Sequence, residues 1–277
     1  MLKKKLLVAA LASSFSLAAL ADEHTFTGNV GFTSDYVFRG ISQNFRSPAI
    51  QGGFDYVHAS GFYAGTWASN VSGNQYSNAS MEWDWYAGYN GKATEDVAYN
   101  VSLVTVVYPG GKTSTAGATK KWDTTEFQFG GTFKDINVAY HYALTDWFGI
   151  SDGAGGYSPN LWAAGDTQAS SATGATTADK ANASSKGSGY LEVNYTYALP
   201  ADVSLALHAG HQKIANFSKL SYSDFKIGVS KAYAGFNFGL AYTKTNATDN
   251  NLYHVKWNGD DKKLGGSIIA LSVSRSL

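Results

Sequence analysis

Met81-Glu82-Trp83-Asp84-Trp85-Tyr86-Ala87-Gly88-Tyr89-Asn90 puts Met81, Trp83, Trp85, Ala87 and Tyr89 on one face of an extended chain and Glu82, Asp84, Tyr86, Gly88 and Asn90 on the other, because successive side chains of a strand point to opposite sides. Two carboxylates set between tryptophans cannot belong to a sheet packed on both faces, since burying unpaired charge is too costly. One face of this segment is wet and the other apolar.

The same alternation recurs on either side of it. Over 25–38, Phe26, Val30, Phe32, Tyr36 and Phe38 oppose Thr27, Asn29, Thr33, Asp35 and the following Arg39, which predicts a first strand. Ile50, Phe54 and Tyr56 against Gln51, Gly53 and Asp55 predict a second, and 62–71 a third. Beyond the quoted stretch, a turn at Asn90-Gly91 leads to a strand over 97–108. Phe127, Phe129 and Phe133 then oppose Glu126, Gln128 and Thr132, and Ile136, Val138, Tyr140, Tyr142 and Leu144 share one face. Further strands are predicted over 190–199, 203–211, 225–231 and 236–242, and a last one carries Ile269, Leu271 and Val273.

The predicted total is twelve, and tight turns alternate with long polar loops throughout. An even strand number with short periplasmic turns and longer outer loops is the bacterial outer-membrane pattern. The expected fold is therefore all-β, a transmembrane antiparallel up-and-down barrel. It must close, because an open edge in hydrocarbon leaves backbone groups without partners. Residues 149–188, rich in Ala, Ser, Thr, Gly and Asp and without alternation, read as a long extracellular loop or insertion.

Composition agrees. Charged residues make up 15% of the chain and aromatics 14%, whereas a soluble domain carries about 25% charged residues. A soluble β-sandwich also alternates, but its wet face should be rich in lysine and glutamate. Here that face is mostly Gly, Ser, Thr, Asn and Ala with a few carboxylates, as a crowded lumen requires. Tyr36, Tyr56, Trp67, Tyr108, Trp147, Tyr190, Tyr197, Tyr233 and Tyr242 fall toward predicted strand ends and are expected to form girdles at the headgroup level.

Residues 1–21 have the three parts of a secretory signal: Lys3, Lys4 and Lys5, an apolar stretch over 6–20, and Ala19-Leu20-Ala21 ahead of Asp22. The expectation is a cleaved signal peptide, a mature barrel over 22–277 and residence in the outer membrane of a Gram-negative cell. No later segment approaches the roughly 18 to 20 apolar residues of a spanning helix. Setting the three signal lysines aside leaves 18 basic against 21 acidic residues, a formal charge of about −3, so no polybasic surface invites nucleic acid. With no cysteine, neither disulfides nor thiolate metal sites are available.

Ser34-Asp35-Tyr36-Val37-Phe38-Arg39-Gly40-Ile41-Ser42-Gln43, then Pro48-Ala49-Ile50-Gln51-Gly52-Gly53-Phe54-Asp55-Tyr56, and Gly61-Phe62-Tyr63-Ala64-Gly65-Thr66-Trp67-Ala68-Ser69-Asn70-Val71 closely resemble the opening of the TorF family, whose members are proposed porins. Glu82 to Tyr89 is similar to that family's next strand, and beyond it the likeness is one of strand pattern. The resemblance implies an outer-membrane barrel of porin type and brings no functional residues with it. Two departures are the segment 149–188 and the final Leu277, where outer-membrane proteins usually end in an aromatic residue; the latter bears on assembly efficiency more than on fold.

Twelve strands should leave a lumen narrower than that of larger porins. The candidates to line it are Arg39, Asp55, Glu82, Asp84, Glu126, Glu192, Asp224 and Lys226. Six carboxylates against two bases would favour small cations and polar neutral solutes over anions. The structural alternative is that these charges neutralise one another and stiffen the wall.

Other chemistry is weaker. His211 and Ser221 or Ser223 fall on the outward faces of adjacent predicted strands, the arrangement a lipid hydrolase on the barrel wall would need, but no orienting third group is in view. Gly111-Lys112-Thr113 resembles the end of a phosphate-binding loop, yet Val106 stands where its first glycine belongs. His208 and His211 point to opposite faces, which argues against joint metal ligation.

The sequence therefore predicts a porin or diffusion channel and not an enzyme, with no cofactor and no metal. A non-conducting surface barrel is the alternative. Expected partners are outer-membrane lipid, small solutes and the barrel-assembly machinery engaging the C-terminal strand. Association into a homo-oligomer stays open, as porins often associate.

Overall fold

A computed structural model describes residues 23–115, 118–151, 179–180, 182–247, 253–257 and 260–277. The predicted signal segment 1–21 and most of 149–188 lie outside them. Among the described residues, twelve antiparallel strands close into a barrel. They are β1 (His24–Thr33), β2 (Ala49–His58), β3 (Phe62–Asn70), β4 (Met81–Lys92), β5 (Val97–Val107) and β6 (Thr124–Phe133), then β7 (Ile136–Ala143), β8 (Gly189–Leu199), β9 (Val203–Lys213), β10 (Tyr222–Tyr233), β11 (Phe236–Thr245) and β12 (Ser267–Ser276). Each pairs with its sequence neighbours, and β12 returns to β1.

The closing seam is short. Asn29 to Thr33 pair with Ser276 to Ser272, whereas on its other side β1 pairs along its whole length, His24 to Thr33 against His58 to Ala49. One backbone hydrogen bond extends the seam at each end: Leu277 N–H donates to the Gly28 carbonyl and Ser34 N–H to the Leu271 carbonyl, both at 2.8 Å.

Short turns mark one end of the barrel. Ala234 and Gly235 join β10 to β11 with φ of 50° and 81°, the left-handed pair that lets a two-residue hairpin follow the strand twist. The predicted turn at Asn90-Gly91 is overturned: β4 continues to Lys92 and the chain turns over 93–96, where Ala93 N–H reaches the Val97 carbonyl at 2.9 Å. Neither Asn90 nor Gly91 has the positive φ that a hairpin turn would need. Gly91 instead makes room for a ring, since a Cβ there would lie 2.2 Å from Tyr99.

Alternation sorts side chains as a barrel requires. Phe26, Ile50 and Phe54 on the outer wall are 76%, 67% and 69% exposed, and Trp85, Phe129, Tyr140, Phe225, Phe238 and Ile269 join them in an apolar band around the cylinder. That band far exceeds the few hundred Å² of contiguous apolar patch that soluble monomers show. Glu82, Glu126, His141, Glu192, Gln212 and Asp224 are buried on the opposite face.

The buried apolar core lies mainly among the long loops at the other mouth, where Trp67, Val106 and Tyr222 of the wall join it. Tyr36, Phe45, Tyr76, Tyr108, Trp122, Trp147, Phe217 and Leu264 pack there as one cluster. Tyr76 stacks on Tyr108 with ring centroids 4.4 Å apart, and Trp147 meets Phe148 edge-on at 4.8 Å.

This corrects the expected girdle. Tyr36, Trp67, Tyr108, Trp147 and Tyr190 lie inside, while Tyr197, Tyr233 and Tyr242 face out. A tyrosine needs an apolar body and a polar partner for its hydroxyl; buried carboxylates supply that partner as well as headgroups do. Tyr36 and Tyr108 both donate to Glu82, the former at 2.5 Å, and Tyr190 to Asp224 at 2.9 Å.

Candidate functional site

The first long loop, residues 34–48, folds into the barrel. The first strand was expected to run on to Phe38, but it ends at Thr33, whose hydroxyl donates to the Asp35 carbonyl at 2.8 Å. Ser34 N–H still bonds the Leu271 carbonyl at 2.8 Å before the chain leaves the wall. Val37–Phe38 then pairs with Ile41–Ser42 in a small hairpin. Its tip is Arg39-Gly40, both with left-handed φ (44° and 80°). Glycine is required at the second position twice over: for the angle, and because a Cβ would lie 2.7 Å from the Cβ of Asp224 on the wall.

From that tip Arg39 reaches across the interior. Its Nη1 and Nη2 donate to the two Glu126 oxygens at 2.9 and 2.6 Å, and Nη1 also to Gln212 Oε1 at 2.9 Å. The guanidinium lies 4.3 Å from the Tyr190 ring centroid and 4.7 Å from that of Phe38. A planar fork suits bidentate carboxylate binding and aromatic stacking at once. Burial works against the Arg39 charge, but the Glu126 carboxylate more than offsets it, so its pKa is raised.

A belt of polar groups continues from Glu126 across five consecutive strands. His141 Nδ1 stands 3.9 Å from Glu126 Oε2, and His141 Nε2 lies 3.1 Å from Glu192 Oε1. Glu192 Oε2 is 3.5 Å from His208 Nδ1, and His208 Nε2 is 2.9 Å from Asp224 Oδ2. Lys226, directly across from His208 in the β9–β10 ladder, also points inward. Room for the belt comes from Gly210, where a Cβ would sit 2.0 Å from the Tyr190 hydroxyl.

On the opposite wall Glu82 accepts both tyrosine hydroxyls, and Asp55 accepts from Tyr86 at 2.5 Å. Asp84 Oδ1, buried, has no hydrogen-bond partner among the described residues. At the root of the loop, Asp35 accepts from Ser42 Oγ at 2.6 Å and faces Arg46 at 3.9 Å. Burial pushes the Asp35 carboxyl up to about 6, against the opposing pull of Ser42 and Arg46. Burial and the Glu82 charge hold the Tyr36 and Tyr108 phenols well above their usual range, so both remain neutral donors.

All eight residues singled out in the sequence thus project to the interior, and five of them join two clusters: Arg39, Glu126, Glu192 and Asp224 in the belt, Glu82 under the tyrosines. His141, His208, Gln212 and Tyr190 were not anticipated there. Alternation with Tyr140 and Tyr142 marks His141 as inward, as alternation with the outward His211 marks His208; their mutual distances depend on strand register.

On the outer wall His211 Nδ1 does meet Ser223 Oγ at 2.9 Å, across the β9–β10 ladder. Ser221 instead accepts from Ile214 N–H at 2.9 Å. No hydrogen-bonded third group orients the His211 ring among the described residues.

A family model described as a bacterial protein of unknown function (Gcw_chp) matches residues 18–276. Among solved structures the chain is similar in fold to the KdgM porin (8% identity, TM-score 0.48, covering 91% of this chain and 99% of that one) and the NanC porin (12%, 0.48, 91% and 100%). It is also similar to the outer membrane protein OprD from Pseudomonas aeruginosa (10%, 0.36, 91% and 65%). No curated protein matches it.

Proposed function

For a chain that belongs to the Gcw_chp family of bacterial proteins, we propose the role of a narrow outer-membrane diffusion channel for small polar solutes and cations. One observation carries this reading: a closed cylinder with an apolar exterior and an interior of carboxylates, amides and hydroxyls. Only hydrocarbon covers such an exterior without cost, and closure gives every strand of the barrel a partner on both sides. The signal-like residues 1–21 and the resemblance of 34–71 to the TorF family support export to the outer membrane and a porin-type role.

Selectivity follows from the charge on the inner wall. Asp55, Glu82, Asp84, Glu126, Glu192 and Asp224 face Arg39 and Lys226, so the passage favours cations and neutral hydrogen-bonding solutes. Arg39 belongs to the first loop, which makes that loop the element that sets the bore. Catalysis and cofactors have no part in this reading. The partners are lipid around the wall, solutes within, and the assembly machinery at the C-terminal strand.

The second reading, a plugged barrel that presents loops to a surface partner, draws on one specific feature. Gln212 and Asp224 are buried to 0% and 1% exposure under the first loop. Reconstitution of the pure barrel into a planar bilayer separates the two. Stepwise conductance with cation preference supports the channel; a silent bilayer from a heat-modifiable, folded barrel supports the plug.

A further inference from the structure

We propose that Glu23, His24 and His58 form a binding site for a zinc-class divalent transition-metal ion on the outer rim of the barrel, at the end opposite the long loops. His24 and His58 face each other across the β1–β2 ladder. Ala59 N–H donates to the Glu23 carbonyl at 3.0 Å, so residues 23 and 59 form a hydrogen-bonded pair and 24 and 58 the adjacent non-bonded pair. Side chains come closest at such positions. The two imidazole centroids are 5.2 Å apart. Glu23 Oε1 lies 3.8 Å from His58 Nε2, and one ligand atom from each of the three residues falls within 4.8 Å of the others.

The surroundings fit ligation. Imidazoles that bind metal ordinarily engage an oxygen through their other ring nitrogen. His24 Nδ1 is 2.8 Å from the Tyr56 hydroxyl and His58 Nδ1 is 2.6 Å from Ser60 Oγ, which leaves Nε2 of each ring for the ion. Ser60 N–H donates to His58 Nδ1 at 3.1 Å; metal at Nε2 puts the ring proton on Nδ1, so this bond gives way to Nδ1–H donating to Ser60 Oγ.

Two imidazoles and a carboxylate are a donor set for zinc, copper or nickel, not for magnesium or calcium. Three protein ligands leave a fourth position for water. Zinc bonds of about 2.0 to 2.1 Å to nitrogen require the three groups to draw together by roughly 1 Å, a rotamer adjustment open to exposed side chains. The Glu23 side chain is 75% exposed and that of His58 31%, so the ion has free access.

The site also has a structural consequence. Over its first residues β1 is paired only with β2, because the β12 ladder reaches no further than Asn29. An ion bridging His24 to His58 fastens β1 to its one partner there.

The test is calorimetric titration of zinc chloride into the chelator-treated full-length barrel in detergent, with the unfolding temperature followed in parallel. About one zinc per barrel is expected, with a rise in unfolding temperature, as a ligand bound only by the folded state requires. His24→Ala and His58→Ala should each weaken binding at least tenfold and abolish the temperature rise, while remaining heat-modifiable barrels. Tyr56→Phe should weaken it roughly tenfold, and His211→Ala on the distant outer wall should leave it unchanged. The proposal is overturned by the absence of saturable binding, or by binding that persists in His58→Ala.

Discussion

Arg39 and Glu126, 87 residues apart in the chain, meet through two hydrogen bonds of 2.6 and 2.9 Å inside the barrel, with side chains 6% and 7% exposed. The pair joins the tip of the first loop to the wall of β6. Because Arg39 also contacts Gln212 and Tyr190, one side chain ties the loop to three strands.

Removing it should release the loop. Arg39→Ala leaves Glu126 buried without its counter-charge, and breaking a buried pair from one side costs about 3 to 5 kcal/mol. The expected outcome is larger and noisier single-channel conductance with a barrel that still migrates as folded. Replacing both partners with apolar residues of similar volume should restore much of the stability but not the wild-type conductance. Unchanged conductance in Arg39→Ala would show that the loop does not set the bore.

Selectivity should respond to the opposite wall. Glu82→Gln together with Asp84→Asn removes two inward charges, and the reversal potential in a salt gradient should move toward that of a non-selective pore. Asp84 is the more telling of the two, since its Oδ1 has no protein partner among the described residues whereas Glu82 is held by two tyrosines. An unmoved reversal potential removes these residues from the permeation path.

Acid should favour the inserted loop. With the loop in place the Asp35 carboxyl titrates at about 6, above its ordinary 3.8, so the inserted state binds more protons over that interval. The linkage sign then makes loop insertion weaken as pH rises from about 4 through about 6 and strengthen on acidification. Closed time should lengthen between pH 7 and pH 5. In Asp35→Asn that dependence should flatten toward the low-pH behaviour.

Gly210→Ala tests the packing under the belt. The added methyl would lie 2.0 Å from the buried Tyr190 hydroxyl and 2.4 Å from its ring, and Tyr190 cannot withdraw without breaking its bond to Asp224. A loss of about 1 to 3 kcal/mol is expected, read as a shift in the urea midpoint of refolding.

The His211–Ser223 contact sets a fifth test. Pure wild-type barrel should show no phospholipase activity, since no third group among the described residues orients the imidazole; hydrolysis that vanishes in His211→Ala would make the protein an enzyme.

Sidedness was legible in the sequence wherever large apolar residues kept strict alternation, as in Trp83 and Trp85 against Glu82 and Asp84. It failed where local pattern and tertiary position part company. Tyr36 and Phe38 continue the phase of β1, yet two residues earlier the chain bends inward, held by the local Thr33–Asp35 hydrogen bond and by the Ser34–Leu271 bond, which forms only in the closed barrel. Asn90-Gly91 is a strong turn dipeptide, but the Tyr99 ring needs the glycine within the strand. The belt from Glu126 to Asp224 was half visible: alternation points each member inward, while the separations between them depend on ladder register, which no single strand encodes.

Unequal fastening has a mechanical meaning. A cylinder whose last joint, between Asn29 to Thr33 and Ser276 to Ser272, is shorter than its neighbours carries a built-in zip. Under lateral load this joint, between the first and last strands, has the fewest pairs to lose of the twelve.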